Sequence, residues 1–300
     1  MRVTHIKIIR NNAKLKQLIN ANSERRTNMK KFRKVAALAL ALVFALALFT
    51  GCGKKGSDEK TIKVAATPSP HAEILNEVKD ALAEEGWTLE VVEFEDYVQP
   101  NEAVTNGDCD ANYFQHQPYL TQYNEENKTD LVSAGVIHYE PLGVYKGTKK
   151  SFDELASGDK IGVPNDVTNE ARALQLLAAN GVLKLKDGVG LEATKTDIVD
   201  NPKGIEIVEL EAATLPTSLP DLALAVINGN YALGGKLTAK DAIAFEASDS
   251  EAATTFANII CCAKGKEGSD KVKALVKALQ SDQVKKFIED KYAGAVKTMF

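Results

Sequence analysis

From residue 61 onward, short apolar runs of strand type alternate with stretches whose apolar residues recur every three or four positions. Residues 61–67 (TIKVAAT) read as a first strand. Ser69 and Pro70 then read as N-cap and first helical position, and residues 71–85 set Ile74, Leu75, Val78, Ala81 and Leu82 on one helical face before Gly86. Residues 89–94 return to strand. Such a β-α-β opening favours a parallel sheet covered by helices. A short helix follows Pro100 and ends near Asn106-Gly107, with a strand over 109–114, a helix over 118–127 and a strand over 131–137. The segment 139–145 (YEPLGVY) reads as an extended connection to a second unit.

That unit opens at Ser151, whose Glu154 three positions on predicts a capping box. Strands are expected over 160–163 and 205–209, and a helix from about Asn169 to Ala179, closed by Gly181. Residues 222–227 (LALAVI) lack polar alternation and so predict a buried parallel strand. After an extended stretch at 241–245 and an apolar strand over 256–262, two helices close the chain, capped by Ser269 and Ser281. These last segments are too few to stand alone and are expected to return to the first unit. The organisation predicted is lobe one over 61–143 and 244–300, lobe two over 144–243, and a cleft between them.

The N-terminal pattern differs. Residues 35–49 are unbroken apolar, preceded by Lys30, Lys31, Arg33 and Lys34 and followed by Thr50-Gly51-Cys52. The run is short for a bilayer span but suits the core of a signal peptide. With a cysteine directly after Thr-Gly, 29–51 predicts a lipoprotein signal, Cys52 the lipidated residue and 52–60 a polar tether. The usual leucine three positions before the cysteine is replaced by Phe49. Residues 1–28 match nothing around them and read as a start assigned too far upstream, or an extension.

Charge sharpens this picture. The formal net charge is −4, yet basic residues crowd the first 34 positions, so the remainder is markedly acidic. That argues against nucleic-acid binding and against a polybasic grip on anionic lipid. Four cysteines are too few for a disulfide scaffold, and adjacent Cys261 and Cys262 point to opposite faces of a strand, so free thiols are expected. The histidines His5, His71, His116 and His138 are scattered without metal-ligand spacing. No nucleophile with a nearby base, no nucleotide loop and no cofactor motif is visible, so the reading is not an enzyme.

Three groups of residues have binding chemistry. For a chain only 6% aromatic, Tyr97, Phe114, His116 and Tyr119 are dense and sit near turn residues. Taken alone, ordinary core packing at a sheet edge explains them somewhat better. Asn169 and Arg172 share one face of a helix's first turn, where a guanidinium fork and free N–H groups suit a carboxylate. A surface arginine paired with Glu170 or Asp166 is the alternative. Asn228 follows a buried strand, where α/β folds display functional polar groups; a plain Asn-Gly-Asn turn is the alternative.

The blocks FEDYVQPNEA (94–103), FQHQPYL (114–120), VPNDVTNEARAL (163–174), LKDGVGL (185–191), NPKGIEIVELEAATLP (201–216) and LALAVINGNYA (222–232) resemble the NlpA/MetQ lipoproteins. Their order and spacing extend the resemblance over 60–300. It implies an α/β, two-lobed periplasmic-binding-protein fold of type II-like organisation. It also implies capture of methionine and delivery to an ABC permease with its ATPase subunits. By the same resemblance, Tyr97, Phe114, His116 and Tyr119 surround the ligand's thioether side chain, and Asn169, Arg172 and Asn228 hold its carboxylate and amino groups. Another amino acid, a short methionine-containing peptide, or a surface adhesion or envelope lipoprotein are the alternatives. One departure is VIHYEP (136–141), where His138 and Glu140 replace the less polar residues common in the family.

Overall fold

The computed structural model describes residues 59–247 and 251–300. The signal segment and Cys52 lie outside the described residues. Among those described, no helix is long and apolar enough to cross a membrane.

Strands β1 (Thr61–Ala66), β2 (Thr88–Glu93) and β3 (Ala111–His116) run parallel with β1 in the middle, and β4 (Val132–Tyr139) lies further along the same sheet. Between β1 and β2 run α1 (Glu73–Glu77) and α2 (Lys79–Glu84); α3 (Gln99–Thr105) precedes β3, and α4 (Gln117–Asn127) follows it. The chain then leaves for a second sheet made of β5 (Gly143–Lys146), β6 (Lys160–Pro164), β9 (Glu206–Leu210), β10 (Leu224–Ile227) and β11 (Ala242–Phe245), in the order β11-β5-β10-β6-β9. The small pair β7 (Lys184–Leu185) and β8 (Ile198–Asp200) stands apart from it. Helices α5 (Val167–Ala179), α6 (Leu215–Ser218) and α7 (Gly229–Gly234) belong to this part. After α8 (Glu251–Thr255), β12 (Asn258–Cys262) inserts antiparallel between β3 and β4, and β13 (Lys297–Thr298) pairs with β4 behind α9 (Asp270–Leu279) and α10 (Asp282–Tyr292). The first sheet, ordered β13-β4-β12-β3-β1-β2, is thus built from both ends of the described chain.

Each sheet has its own core. Ile62 and Val64 of β1 pack with Ile74, Leu75, Ile260, Leu275 and Ile288 around the first. Val144, Ile161, Val163, Leu174, Leu177 and Leu224 pack around the second. Each large aliphatic side chain fully buried there contributes roughly 1.5–3 kcal/mol against the entropy of ordering its half. Cys109, Cys261 and Cys262 are buried and free, as the sequence predicts. Ser269 and Ser281 cap α9 and α10 by accepting from the N–H of Val272 and Val284.

Several expectations need correction. Ser69 does not cap a helix: it is extended (φ −123°, ψ 136°) before a cis peptide to Pro70, in keeping with the restriction a proline puts on its predecessor. The helix expected over 71–85 is broken at Val78 (φ −98°, ψ 3°). Ser151 makes no capping hydrogen bond, because its helical turn lasts only Phe152–Glu154, and Glu154 instead accepts from Lys150 N–H. Helix α5 starts earlier than Asn169, with Asp166 as its cap. β10 is fully buried but only half parallel: it runs parallel to β6 and antiparallel to β5.

Candidate functional site

A cavity of about 350 Å³, counting its open mouth, lies where residues attached to both sheets meet. Every residue singled out from sequence lines it: Tyr97, Phe114, His116, Tyr119, Asn169, Arg172 and Asn228. Sequence reasoning did not assign His71, Asn230 and Asn258 to it, and noted Glu140 only as a departure.

The aromatic wall comes from the first half. β3 ends at His116, so Phe114 and His116 emerge at its carboxyl end, and α4 starts directly after. His116 caps that helix: its Nδ1 accepts from Tyr119 N–H at 3.2 Å. Nε2 must then hold the ring proton, and it donates to Asn169 Oδ1 at 3.3 Å. Burial first, then the charge of Arg172, pushes the His116 pKa down to about 3, so the ring is neutral. The Tyr97 ring lies 5.8 Å from those of Phe114 (tilted) and Tyr119 (edge-on) and 4.8 Å from that of Tyr231. The Tyr119 hydroxyl donates to Tyr97 O at 2.9 Å, and the Tyr97 hydroxyl reaches Asn230 Oδ1 at 2.5 Å.

The polar wall is mainly from the second half. Asp166, the cap of α5, accepts from Asn169 N–H at 3.0 Å and from Asn169 Nδ2 at 2.8 Å. That fixes the Asn169 amide, whose Oδ1 takes protons from His116 and from Asn228 Nδ2, the latter at 2.8 Å. With its nitrogen engaged there, Asn228 is left with a buried Oδ1 that has no hydrogen-bond partner. A buried carbonyl oxygen in that state is about 1–3 kcal/mol short of a donor.

Arg172 has neither of its expected partners. Glu170 accepts from Lys195 N–H, and Asp166 is taken by the helix cap. Its Nε and Nη2 instead grip Glu246 at 2.7 and 2.5 Å, with Nη2 also donating to Glu140 O at 2.9 Å. Glu246 further accepts from the Tyr139 hydroxyl and Leu142 N–H. The guanidinium lies 4.4 Å over the Phe256 ring. Burial opposes its charge, but Glu246 outweighs burial and raises the pKa.

Two of the histidines scattered in sequence, His71 and His138, converge with Glu140 at the cavity's edge. His71, His138 and Glu140 bring ligand-type atoms within 4.8 Å of one another. Their nitrogens are already engaged. His71 Nδ1 meets Thr67 Oγ1 at 2.8 Å and Nε2 meets Asn258 Oδ1 at 3.0 Å. His138 Nδ1 meets the Tyr113 hydroxyl, and Nε2 meets Glu140 Oε1 at 2.7 Å. Tyr113, His138 and Glu140 form one hydrogen-bond chain, and His71 belongs to a second with Thr67 and Asn258. Burial pushes His71 down to about 4 and His138 to about 3, so both rings are neutral. Burial pushes the Glu140 carboxyl up to about 6, with His71 and Arg172 pulling the other way.

Rings and fixed polar groups facing one cavity between two α/β halves define a protein that captures a small amphipathic solute. A family profile described as NlpA lipoprotein matches residues 62–300, and the chain belongs to that family. It is 46% identical over 259 residues to the D-methionine-binding lipoprotein MetQ of Salmonella typhimurium, covering 85% of this chain and 93% of that one. A solved protein from Ruminococcus gnavus is 59% identical with a TM-score of 0.79, covering 80% of this chain and all of that one (100%). A nutrient binding protein from Burkholderia cenocepacia, solved bound to methionine, is 45% identical with a TM-score of 0.76, covering 80% and 100%. The fold is the two-lobed periplasmic-binding-protein type.

Proposed function

We propose that this chain is the substrate-binding lipoprotein of an ABC importer, which captures methionine between its lobes and delivers it to the membrane permease and its ATPase subunits. The observation that carries the reading is the pairing, around one cavity, of an aromatic wall with a fixed polar one. Tyr97, Phe114, His116 and Tyr119 form a slot for a flexible, polarisable thioether. Asn169, Arg172 and Asn228 hold the zwitterionic head, which needs fixed partners once desolvated. Lobe one comprises 61–143 and 244–300, and lobe two 144–243. The contacts His116–Asn169 and Tyr97–Asn230 bridge the halves, so they form on closure and part on opening.

No bond is made or broken in the cleft. The signal at 29–51 directs export, and a diacylglycerol thioether on Cys52 holds the protein at the outer face of the cell membrane. Mass spectrometry of the mature protein is expected to find a lipid-modified Cys52 at the N-terminus; any other N-terminus overturns the anchor. Calorimetry against the twenty amino acids is expected to give saturable binding of methionine. Saturation by a different amino acid, with none by methionine, overturns the substrate.

A further inference from the structure

Buried Glu140 and partly buried Glu246 both lie against Arg172, and they are neutralised unequally. The Arg172 fork spends Nε and Nη2 on Glu246. It offers Glu140 only a bond to the backbone carbonyl, so no Lys or Arg bond to the Glu140 carboxylate is found among the described residues. What faces that carboxylate is His138 Nε2 at 2.7 Å and His71 Nε2 at 3.5 Å, both from neutral rings, together with the uncharged backbone N–H of Asn230. An ionised carboxylate only accepts, so His138 Nε2 holds the ring proton, Nδ1 is the acceptor, and Tyr113 donates to it. The Tyr113–His138 chain therefore aims a donor at Glu140 without adding charge.

Space is arranged around the same group. A Cβ at Gly229 would sit 2.7 Å from both Glu140 Cβ and Oε2, so only glycine lets the carboxylate lie there. Asn228, next in sequence to Gly229, contributes the unpartnered buried Oδ1, and both residues line the cavity with Glu140. An uncompensated carboxylate beside an amide oxygen lacking a donor calls for a cationic group with several N–H bonds to give.

We infer that Glu140, oriented by His138 and Tyr113, anchors the primary ammonium of the ligand together with Asn228 Oδ1. Glu140 is thus a specificity-determining residue and His138 a positioning residue. This rests on the reading that an amino acid is bound.

The test is calorimetry on the full chain in detergent with L-methionine and with 4-(methylsulfanyl)butanoate, which is methionine without its ammonium. The wild type is expected to prefer methionine at least a hundredfold. Glu140→Gln is expected to weaken methionine at least tenfold while changing the des-amino acid less than threefold. His138→Phe is expected to shift the ratio of the two affinities in the same direction, and His138→Gln, which keeps an N–H near Glu140, to restore it in part. Equal weakening of both ligands by Glu140→Gln, or unchanged methionine affinity, overturns the assignment while the methionine reading stands. A wild type that binds neither ligand overturns the methionine reading and this one with it.

Discussion

Glu246 and Glu140 stand within reach of the same arginine, yet they do opposite work. Glu246 accepts from Arg172, Tyr139 and Leu142, so its charge is balanced and its oxygens are satisfied. Glu140 has two neutral imidazoles and the backbone N–H of Asn230, none of them charged, and keeps its charge. The first is structural glue; the second is stored electrostatic free energy. A buried acid's neighbours, rather than its burial, decide whether it stabilises the fold or waits for a ligand.

The comparison is broken most severely by removing the shared arginine. Arg172→Ala leaves Glu246 buried and unpaired, and is expected to lower unfolding stability by roughly 3–5 kcal/mol in urea titration. A loss under about 1 kcal/mol, the range of exposed pairs, would mean that the Glu246 pair is solvated.

The histidines come next. Their folded pKa values of about 4, 3 and 3 for His71, His116 and His138 lie below the usual 6.5. A depressed value means the unfolded chain binds protons more readily, so their stabilisation is present above pH 6.5 and drains away as pH falls toward 4. Urea midpoints are expected to fall markedly between pH 7 and pH 4, each histidine contributing on the order of 1.4 kcal/mol per pKa unit of its depression. The drop should be shallower in His138→Phe; identical slopes in both proteins would mean that His138 takes up its proton while folded.

Glu140 has the opposite sign. Its folded value of about 6 lies above the usual 4.5, so the charged carboxylate costs nothing below pH 4.5 and its full penalty above pH 6. Ligand-free Glu140→Gln is expected to be more stable than wild type by about 2 kcal/mol at pH 7 and equal to it at pH 4.5. A variant less stable at pH 7 would put Glu140 in the same class as Glu246. The smallest effect is remote: Ser281→Ala, which removes the α10 cap, is expected to cost about 1 kcal/mol of stability and to leave methionine affinity unchanged. A change in affinity there would show that α10 couples to the cleft.

Local pattern made the site's outer parts legible. Asn169 and Arg172 meet because residues three apart in a helix share a face, and Asn228 stands at the end of a buried strand as the α/β rule anticipates. The same Asn-Gly-Asn turn holds Asn230, which that argument reaches equally well. What stayed hidden depends on long closure. Arg172 prefers Glu246, 74 positions away, to acids two or six positions off, because those are used by a backbone N–H and a helix cap. His71 and Asn258, 187 positions apart, touch only because β12 returns to the first sheet. Reading 71–85 as an ordinary amphipathic helix gave His71 no special place, since spacing sees periodicity and not what the far end of the chain brings alongside.

The two carboxylates share one more property. Glu140 sits between β4 and β5, where the chain passes from the first sheet to the second, and Glu246 directly follows β11, where it sets out to return. Arg172 clasps the side chain of one passage and the backbone of the other. In a nutcracker, whatever rests near the fulcrum barely shifts as the arms swing. On the proposed assignment, the solute's charged end rests at these passages, while the bridges His116–Asn169 and Tyr97–Asn230 form only as the lobes shut. That assignment would separate recognition of the head from commitment to the tail in time.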